Sequence, residues 1–321
     1  MQPTALASVL AAAVGGNPDA LAALSGTAPL DERDSLLTLL GVHDLHLAPI
    51  DALAGAERYQ HHPTIAALKW RLETELLVWL GDADERAGWV LPTSAVAAMR
   101  TVGRAGAVPD VYRWVATSAS LDQLRTFLAL EGGPDGGFDD LVAACQIGLD
   151  GEPKLELARN YWDEMGNGTL DRVHTELYRK LSRSLRLPDV PREGLPVEAL
   201  RRSALGSLVG TNRHLQPEMV GALGLLELQA GPRCRAVVEG LRRLGASDDA
   251  LDFYVEHAQT DPRHGKDWLD NVITPLGRNP RWAAGMVRGA RWRSLCNSAF
   301  FDAMAARFVQ GSAVARLASA S

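Results

Sequence analysis

Apolar residues recur along most of the chain at the three- and four-residue spacing that places side chains on one face of a helix. The clearest segment is Thr64–Leu80. Its apolar positions are Ile65, Leu68, Leu72, Leu76, Leu77 and Leu80. No segment of useful length alternates between apolar and polar residues, and none has the turn chemistry of a β-hairpin. The pattern therefore predicts an all-α protein.

Glycine and proline interrupt this pattern and set the predicted helix ends. We expect a loop over Gly81–Trp89 and a helix over Leu121–Leu130 that ends in Glu131-Gly132-Gly133-Pro134. Later in the chain the period predicts helices over Lys154–Leu185, Val197–Thr211, Gln216–Gly231, Pro232–Leu244, Asp248–Leu276 and Pro280–Val309. The predicted organisation is an N-terminal helical extension with the first scaffold helices over 1–115, a core over 116–310 and a frayed tail over 311–321.

Composition narrows the class of protein. The 321 residues are 46% hydrophobic and 22% charged, which is ordinary for a globular chain. The net charge of −6 argues against general nucleic-acid binding, which needs a basic face. The three cysteines lie far apart and predict buried thiols in a reducing cytoplasm. Without a basic leader or a long apolar run, we expect neither a signal peptide nor a membrane span.

The first candidate for chemistry is His257-x3-Asp261-x2-His264. On an ideal helix these three positions fall within about 60° of one another, and two imidazoles with a carboxylate can bind a transition metal. The alternatives are a solvated helix face or a buried histidine with a satisfied hydrogen bond. Because Pro262 lacks a backbone N–H, we expect either a kink there or a new helix capped by Asp261.

Glu164 and His174 form the second candidate. They are ten residues apart, about 1000° around a straight helix, so an unbroken helix would not align them. Gly166 and Gly168 lie between them, and a π-bulge at this point could turn both side chains toward one centre. Asp171 is a reserve candidate.

Two further carboxylates complete the set. Glu131 ends an apolar helix, where the helix dipole opposes a negative charge unless a cation lies nearby. Glu227 lies in a run of small apolar residues, and it needs a partner if it is buried. Solvation is the alternative for Glu131, and a salt bridge to Arg233, Arg235 or Arg213 is the alternative for Glu227. Four carboxylates would balance two divalent ions, although spacing alone does not show that they meet.

These residues stand in motifs that resemble the iron-containing redox enzyme family, the haem-oxygenase-like diiron oxidases. The resemblance covers roughly Leu121–Ala305. It is carried by Glu131 with Phe138-Asp139-Asp140-Leu141, by Tyr161-Trp162-Asp163-Glu164-Met165-Gly166 with Val173-His174-Thr175, by Glu227-Leu228-Gln229, and by Phe253-Tyr254 with His257, Asp261 and His264. It implies a haem-oxygenase-like helical bundle that works without haem and carries an N-terminal helical extension.

The resemblance also implies a cofactor and an activity. The ligands of two iron ions would be Glu131, Glu164, His174, Glu227, His257, Asp261 and His264. The implied enzyme is an O2-dependent non-haem diiron oxidoreductase that desaturates, hydroxylates, N-oxygenates or cleaves a small aliphatic amino acid or amine in specialised biosynthesis. Manganese in one of the two sites stays open. Candidates for the substrate pocket are Tyr161, Trp162, Phe253, Tyr254, Arg288 and Arg291.

Other functions remain as alternatives. One is a fatty-acid oxidative decarboxylase of the same superfamily, and another is a metal-free enzyme or binding protein on the same scaffold. A structural protein whose His and Glu pairs are salt bridges is a third. The expected partners are a small-molecule substrate, an external electron donor and a second copy of the chain in a homodimer, with no nucleic acid and no membrane.

Overall fold

The computed structural model describes residues 4–132 and 137–310, and its regular secondary structure there is helical throughout. The prediction of an all-α protein is confirmed. The predicted tail over 311–321, and the Gly133 and Pro134 of the predicted helix stop, lie outside the described residues. Within the described part of the chain, no helix is both long enough and apolar enough to cross a membrane.

The α-helices follow one another along the whole chain. In order they are α1 (Leu6–Val14), α2 (Pro18–Ala23), α3 (Glu32–Leu47), α4 (Ile50–Leu53), α5 (Pro63–Ala87), α6 (Ala95–Arg104), α7 (Asp110–Thr117), α8 (Leu121–Glu131), α9 (Phe138–Cys145), α10 (Gly151–Glu164), α11 (His174–Leu185), α12 (Val197–Thr211), α13 (Gln216–Arg243), α14 (Asp248–Asp267), α15 (Thr274–Leu276) and α16 (Pro280–Ala305). Two π-helical segments, Trp268–Ile273 and Ala306–Gln310, follow α14 and α16.

The helices form two compact units. The N-terminal unit comprises the chain up to Trp89 together with Pro191–Arg213, and the C-terminal unit comprises Val90–Val190 and the chain from His214 onward. Helix α12 therefore belongs to the first unit, although it follows α11 in sequence. The predicted boundary at residue 115, between the N-terminal helices and the core, stays a prediction.

In the N-terminal unit, α3 packs against α1, α5 and α12. A buried carboxylate on α3 fixes the start of α1, because Asp34 accepts hydrogen bonds from the backbone N–H groups of Leu6 at 2.8 Å and Ala7 at 2.9 Å. These groups have no partner within their own helix, so a carboxylate near the helix N-terminus satisfies them and complements the helix dipole.

A buried carboxylate on α5 joins three elements of this unit. Oε1 of Glu73 lies 2.8 Å from Nε2 of His43, 2.7 Å from Nζ of Lys69 and 2.6 Å from Nδ2 of Asn212. Burial alone would raise the pKa of Glu73, but its hydrogen bonds to His43 and Lys69 outweigh burial and lower that pKa to about 2. The carboxylate is therefore charged in the folded protein down to strongly acid pH.

Replacing this carboxylate is expected to weaken the N-terminal unit. Glu73→Gln leaves the ammonium group of Lys69 without its carboxylate partner. We therefore expect the free energy of unfolding to fall by about 3 kcal/mol at pH 7. In the folded protein the pKa of Glu73 lies below its ordinary value of 4.5. The extra stability of the wild type over Glu73→Gln should therefore be complete above pH 4.5 and should decrease as the pH falls toward 2. Urea unfolding from pH 3 to 7 measures this difference, with Glu75→Gln on the exposed side of α5 as control. An equal effect of both variants would contradict the prediction.

In the C-terminal unit, α13 packs against α7, α14 and α16. Its contact with α16 brings the two backbones together. A Cβ at Gly221 would lie 1.8 Å from the carbonyl oxygen of Met286, and one at Gly289 would lie 2.0 Å from the carbonyl oxygen of Glu218. Only glycine allows so close an approach. The predicted break at Pro232 is wrong, because α13 continues through this proline to Arg243.

Three other predicted boundaries also differ from the structure. The expected loop over Gly81–Trp89 is helical up to Ala87, and α5 ends only at Gly88, whose left-handed backbone (φ 58°) caps it. Helix α14 includes Pro262, so Asp261 does not cap a new helix. The predicted helix over Lys154–Leu185 divides into α10 and α11.

Candidate metal centre

A cavity of about 370 Å³ lies inside the C-terminal unit. Its walls come from the C-terminal end of α8, the start of α9, the junction of α10 with α11, and the facing sides of α13 and α14. The lining residues with ionisable or metal-binding side chains are Glu131, Asp139, Glu164, His174, Tyr178, Arg179, Glu227, Cys234, Tyr254, His257 and Asp261. Six of the seven predicted ligands therefore line one cavity.

The connection between α10 and α11 brings Glu164 and His174 together. Gly166, Asn167 and Gly168 all have left-handed backbones, with φ values of 60°, 52° and 82°. A Cβ at Gly166 would lie 2.5 Å from the backbone carbon of Arg172, so the returning chain passes directly over this glycine. The helix therefore ends, rather than bulging as we predict from the sequence. A new helix begins at His174, and Nδ1 of His174 lies 2.6 Å from Oε2 of Glu164.

His257 joins this pair from α14. Donor atoms of Glu164, His174 and His257 lie within 4.8 Å of one another, and the rings of the two histidines are 4.5 Å apart between centroids. Nδ1 of His257 donates to the carbonyl oxygen of Phe253 at 2.7 Å, which leaves Nε2 as a potential ligand atom. Burial, followed by the neighbouring His174, lowers the pKa of His257 to about 4. The ring is therefore neutral near pH 7, as a metal ligand must be.

A second group of donors shares the same carboxylate. Glu164, Glu227 and His264 also lie within 4.8 Å of one another, and Nδ1 of His264 is 3.5 Å from Oε2 of Glu227. The other oxygen of Glu227 accepts a hydrogen bond of 2.7 Å from Asn160. The side-chain partners of Glu227 are thus an amide and an imidazole, rather than the arginine of the predicted alternative. Glu164 belongs to both triads.

Asp261 and Glu131 line the cavity outside these two triads. Asp261 is 2% exposed, its Oδ1 lies 3.9 Å from Nδ1 of His264, and its Oδ2 has no hydrogen bond. Burial, together with Glu227 and Glu164, raises the pKa of Asp261 well above its usual range. Oε1 of Glu131 accepts a hydrogen bond of 2.9 Å from the hydroxyl of Tyr112. Both carboxyl groups remain candidate ligands.

The chemistry of the cavity fits divalent cations. Three buried donor atoms, Nδ1 of His174, Nδ1 of His264 and Oδ2 of Asp261, lack an aligned hydrogen-bond partner. Unpartnered buried polar atoms are costly, and closely spaced buried carboxylates repel one another unless a cation neutralises them. Metal ions placed among these atoms would relieve both costs. The reserve candidate, Asp171, is exposed and is not one of the residues that line the cavity.

The predicted pocket residues divide into two groups. Phe253 and Tyr254 line the cavity, and the buried hydroxyl of Tyr254 has no hydrogen-bond partner. The other four, Tyr161, Trp162, Arg288 and Arg291, are not among its lining residues. Trp162 is 53% exposed, and Arg288 pairs with Glu218. These four residues are therefore not part of the candidate site.

Sequence reasoning missed the residues that hold the ligands in place. Oδ2 of Asp163 accepts a hydrogen bond of 2.9 Å from Nε2 of His264, which turns the opposite ring nitrogen, Nδ1, toward Glu227. Burial alone would lower the pKa of His264, but Glu227 and Asp163 outweigh it and raise that pKa to about 9. The four-residue spacing of Asn160 and Glu164 on one face of α10 was the available signal for Asn160.

Removal of the Asp163 carboxylate is expected to weaken metal binding without removing a ligand. In Asp163→Ala the ring of His264 loses the acceptor that orients it, so iron should bind about 10- to 100-fold more weakly. Competition with a chromogenic chelator under anaerobic conditions measures the affinity. Arg263→Met is the control, because it removes another partner of Asp163 and leaves the bond to His264. Equal iron affinity in Asp163→Ala and the wild type would show that this bond does not position the ligand.

Comparison with known proteins agrees with this chemistry. Residues 125–297, a little more than half of the chain, match the model of a protein family described as iron-containing redox enzymes. All seven predicted ligands, from Glu131 to His264, lie within the matched range. None of the curated proteins compared with the chain matches it.

Proposed function

The chain belongs to the iron-containing redox enzyme family, and on this premise we propose that it is a non-haem diiron oxidase or oxygenase. The observation that carries the proposal is the position of Glu164, which contributes to two donor triads at once. A carboxylate shared in this way favours a dinuclear centre, whereas one zinc ion would need only three or four ligands in a single cluster. The all-α fold is consistent with the haem-oxygenase-like bundle of this family.

The protein would hold one ion with Glu164, His174 and His257 and the other with Glu164, Glu227 and His264. Asp261 and Glu131 would complete the set. When bound, two iron ions would supply the electrons that reduce dioxygen. The chain itself contributes orientation and a sheltered cavity, since Asp163 and the Phe253 carbonyl fix the two histidines of α14.

The substrate that we propose is a small aliphatic amine or amino acid. The cavity is lined by five carboxylates, at residues 131, 139, 164, 227 and 261. Its one lining cation, within the described residues, is Arg179, which is exposed and pairs with Glu176. Two divalent ions would neutralise four of these carboxylates and would leave Asp139 as the fifth. This balance favours a cationic ammonium group over the free carboxylate of a fatty acid.

Tyr254 offers a second point of recognition. Its hydroxyl is buried among cavity residues and has no partner in the protein. Burial raises the pKa of Tyr254 well above its usual range, so the group remains a neutral donor. A polar substrate group that accepts from this hydroxyl would satisfy it, which is the usual way for a small-molecule site to fix orientation.

Two alternatives make different demands on the cavity. A fatty-acid oxidative decarboxylase would need a cation for the substrate carboxylate, and the lining cation described above, Arg179, is exposed and already pairs with Glu176. A metal-free enzyme or binding protein would leave the buried Oδ2 of Asp261 without a partner, and Nδ1 of His174 and of His264 without an aligned hydrogen bond. Both alternatives are therefore weaker than the proposed oxidase.

Anaerobic loading with ferrous iron, followed by rapid mixing with oxygen, tests the proposed function. We expect about two iron ions per chain, and a visible absorbance change that depends on one class of added substrate. Lysine, simple alkylamines and medium-chain fatty acids would be compared at equal concentration. Retention of less than about one iron per chain in excess ferrous ion would contradict the diiron proposal. Acceleration by the fatty acid alone would contradict the proposed substrate class.

A further inference from the structure

A second cavity, of about 530 Å³, lies between α10 and the end of α14. The seventh predicted ligand, His264, lines this cavity rather than the first one. Asn160 and Asp163 line it too, and their side chains hold Glu227 and His264 by hydrogen bonds. Among the described residues, none lines both cavities. The candidate metal centre therefore lies between two separate cavities.

Two rows of polar side chains face each other across the second cavity. The rows are Glu156, Asn160 and Asp163 on α10, and Arg263, Asp267 and Asn271 on α14 and the π-helical segment that follows it. The outer members are joined, because Nδ2 of Asn271 donates to Glu156 at 2.8 Å and the guanidinium of Arg263 donates to Asp163 at 2.6 Å. These bonds show that the two helices run antiparallel here. The same register places Asn160 opposite Asp267.

This middle pair consists of two acceptors without a donor between them. Asn160 is 2% exposed, and its Nδ2 donates to Oε1 of Glu227 at 2.7 Å, which turns its Oδ1 away from that carboxylate. This Oδ1 is buried and has no hydrogen bond. No described residue donates to the carboxylate of Asp267, and the neighbouring Lys266 pairs with Asp270 instead. Because a buried acceptor without a partner is costly, the gap needs a group that supplies donors.

The charges around the gap favour a cation as its occupant. Of the three carboxylates that line the cavity, Glu156 pairs with Arg159 and Asp163 pairs with Arg263. Asp267 is the third, and no cation of the lining pairs with it. Carboxylate and amide oxygens are the ligands of hard divalent ions, and the water molecules of a hydrated ion would donate to the remaining acceptors. The π-helical segment begins directly after Asp267, and such segments are frequent at functional sites.

Asn160 links this gap to the candidate metal centre. Its Oδ1 carries the unused acceptor, and its Nδ2 donates to a predicted ligand, Glu227. Rotation of this one amide would expose Oε1 of Glu227 to an ion in the gap, so the ion would pass from one oxygen ligand to the next. The first cavity offers less to a hydrated ion, because Phe138, Leu226 and Phe253 give it apolar walls.

We propose that the gap between Asn160 and Asp267 is an entry site, where a hydrated divalent metal ion binds before it moves to the candidate metal centre. The carboxylate of Asp267 attracts the ion, and Oδ1 of Asn160 replaces one of its water molecules. The ion then passes to Glu227 and His264, which belong to one donor triad. The entry site rests on the proposed function in one respect only, namely that the centre binds iron.

The rate of iron uptake is the first test. The metal-free full chain is mixed anaerobically with ferrous ion, and a chelator added at successive times separates the rate of uptake from the final iron content. In Asp267→Asn we expect uptake at least about 10-fold slower than in the wild type, with the same final content of about two ions per chain. Asp270→Asn is the matched control, because it removes the same charge from an exposed carboxylate that pairs with Lys266. A rate in Asp267→Asn equal to that of the wild type or of the control would overturn the proposal.

Direct occupancy is the second test, and it needs no working centre. Glu164→Gln removes the carboxylate that both donor triads share, so an ion should stop at the entry site. Crystals of this variant soaked in manganese(II) should show anomalous density between Asn160 and Asp267, and the added substitution Asp267→Asn should remove it. Water alone at this position would overturn the entry site, even if the wild type binds two iron ions. Manganese bound here, together with a low iron content in the wild type, would contradict the diiron proposal instead.

Discussion

Glu164→Gln is expected to abolish binding of both iron ions, whereas the wild-type chain should bind about two. Glu164 is common to both donor triads, and its Oε2 lies 2.6 Å from Nδ1 of His174. An amide is nearly isosteric with the carboxylate but carries no charge, so it can neither bridge two cations nor balance their charge. We expect affinity for each ion to fall by at least about 100-fold, measured by anaerobic titration and by the iron content after gel filtration.

Two further variants make this expectation specific. Glu156→Gln is the matched control, because Glu156 is a buried carboxylate on the same helix that pairs with Arg159 and Asn271. It should retain both ions. His257→Ala alters one triad and should leave about one iron per chain. If Glu164→Gln retained one ion tightly, Glu164 would not be a shared ligand, and the dinuclear centre would have to be rebuilt around another carboxylate.

Gly221→Ala should destabilise the C-terminal unit by more than about 4 kcal/mol, the range of the most damaging single substitutions. The added methyl would lie 1.8 Å from the carbonyl oxygen of Met286, and a backbone atom cannot move aside as a flexible side chain can. Helices α13 and α16 would have to separate. Because α13 also carries Glu227, we expect weaker iron binding together with the lower melting temperature.

The control for this effect is another helical glycine. At Gly81 on α5 an added Cβ would meet nothing within 4 Å, so Gly81→Ala should stabilise the protein by about 0.5–1 kcal/mol through helix propensity alone. Thermal and urea unfolding of both variants, at the same protein concentration, provide the comparison. A loss below about 1 kcal/mol in Gly221→Ala would show that the contact between α13 and α16 adjusts easily.

The sequence predicted which residues line the cavity better than it predicted the backbone conformation that places them there. His257, Asp261 and His264 could be grouped because helical periodicity places them on one face, and α14 does run through Pro262. Glu164 and His174 were grouped because a π-bulge at the glycines between them could align the two side chains, and the expected π-bulge is wrong. Three successive left-handed residues end the helix there, and no periodicity rule describes such a turn.

Tertiary packing accounts for most of the remaining errors. Pro232 looks like a helix break in isolation, yet α13 is held between α14 and α16 and continues through it. Helix α12 was predicted with correct bounds, but its membership of the N-terminal unit depends on which helices pack together. Arg288 was chosen as a cation for the substrate, whereas the structure pairs it with the buried Glu218. Sequence spacing carries no information on such contacts between distant elements.

One residue of the cavity, Cys234, would meet the oxidants that such an enzyme produces. Cys234 lines the cavity and is buried, and burial raises its pKa well above the ordinary value, with Asp261 and Glu131 adding to the effect. The thiolate is the form that oxidants attack, so a thiol held protonated reacts slowly. Burial, to which the acidic residues add, thereby protects this thiol from oxidation, and the enzyme would inactivate itself more slowly than one with an exposed thiol at the same place.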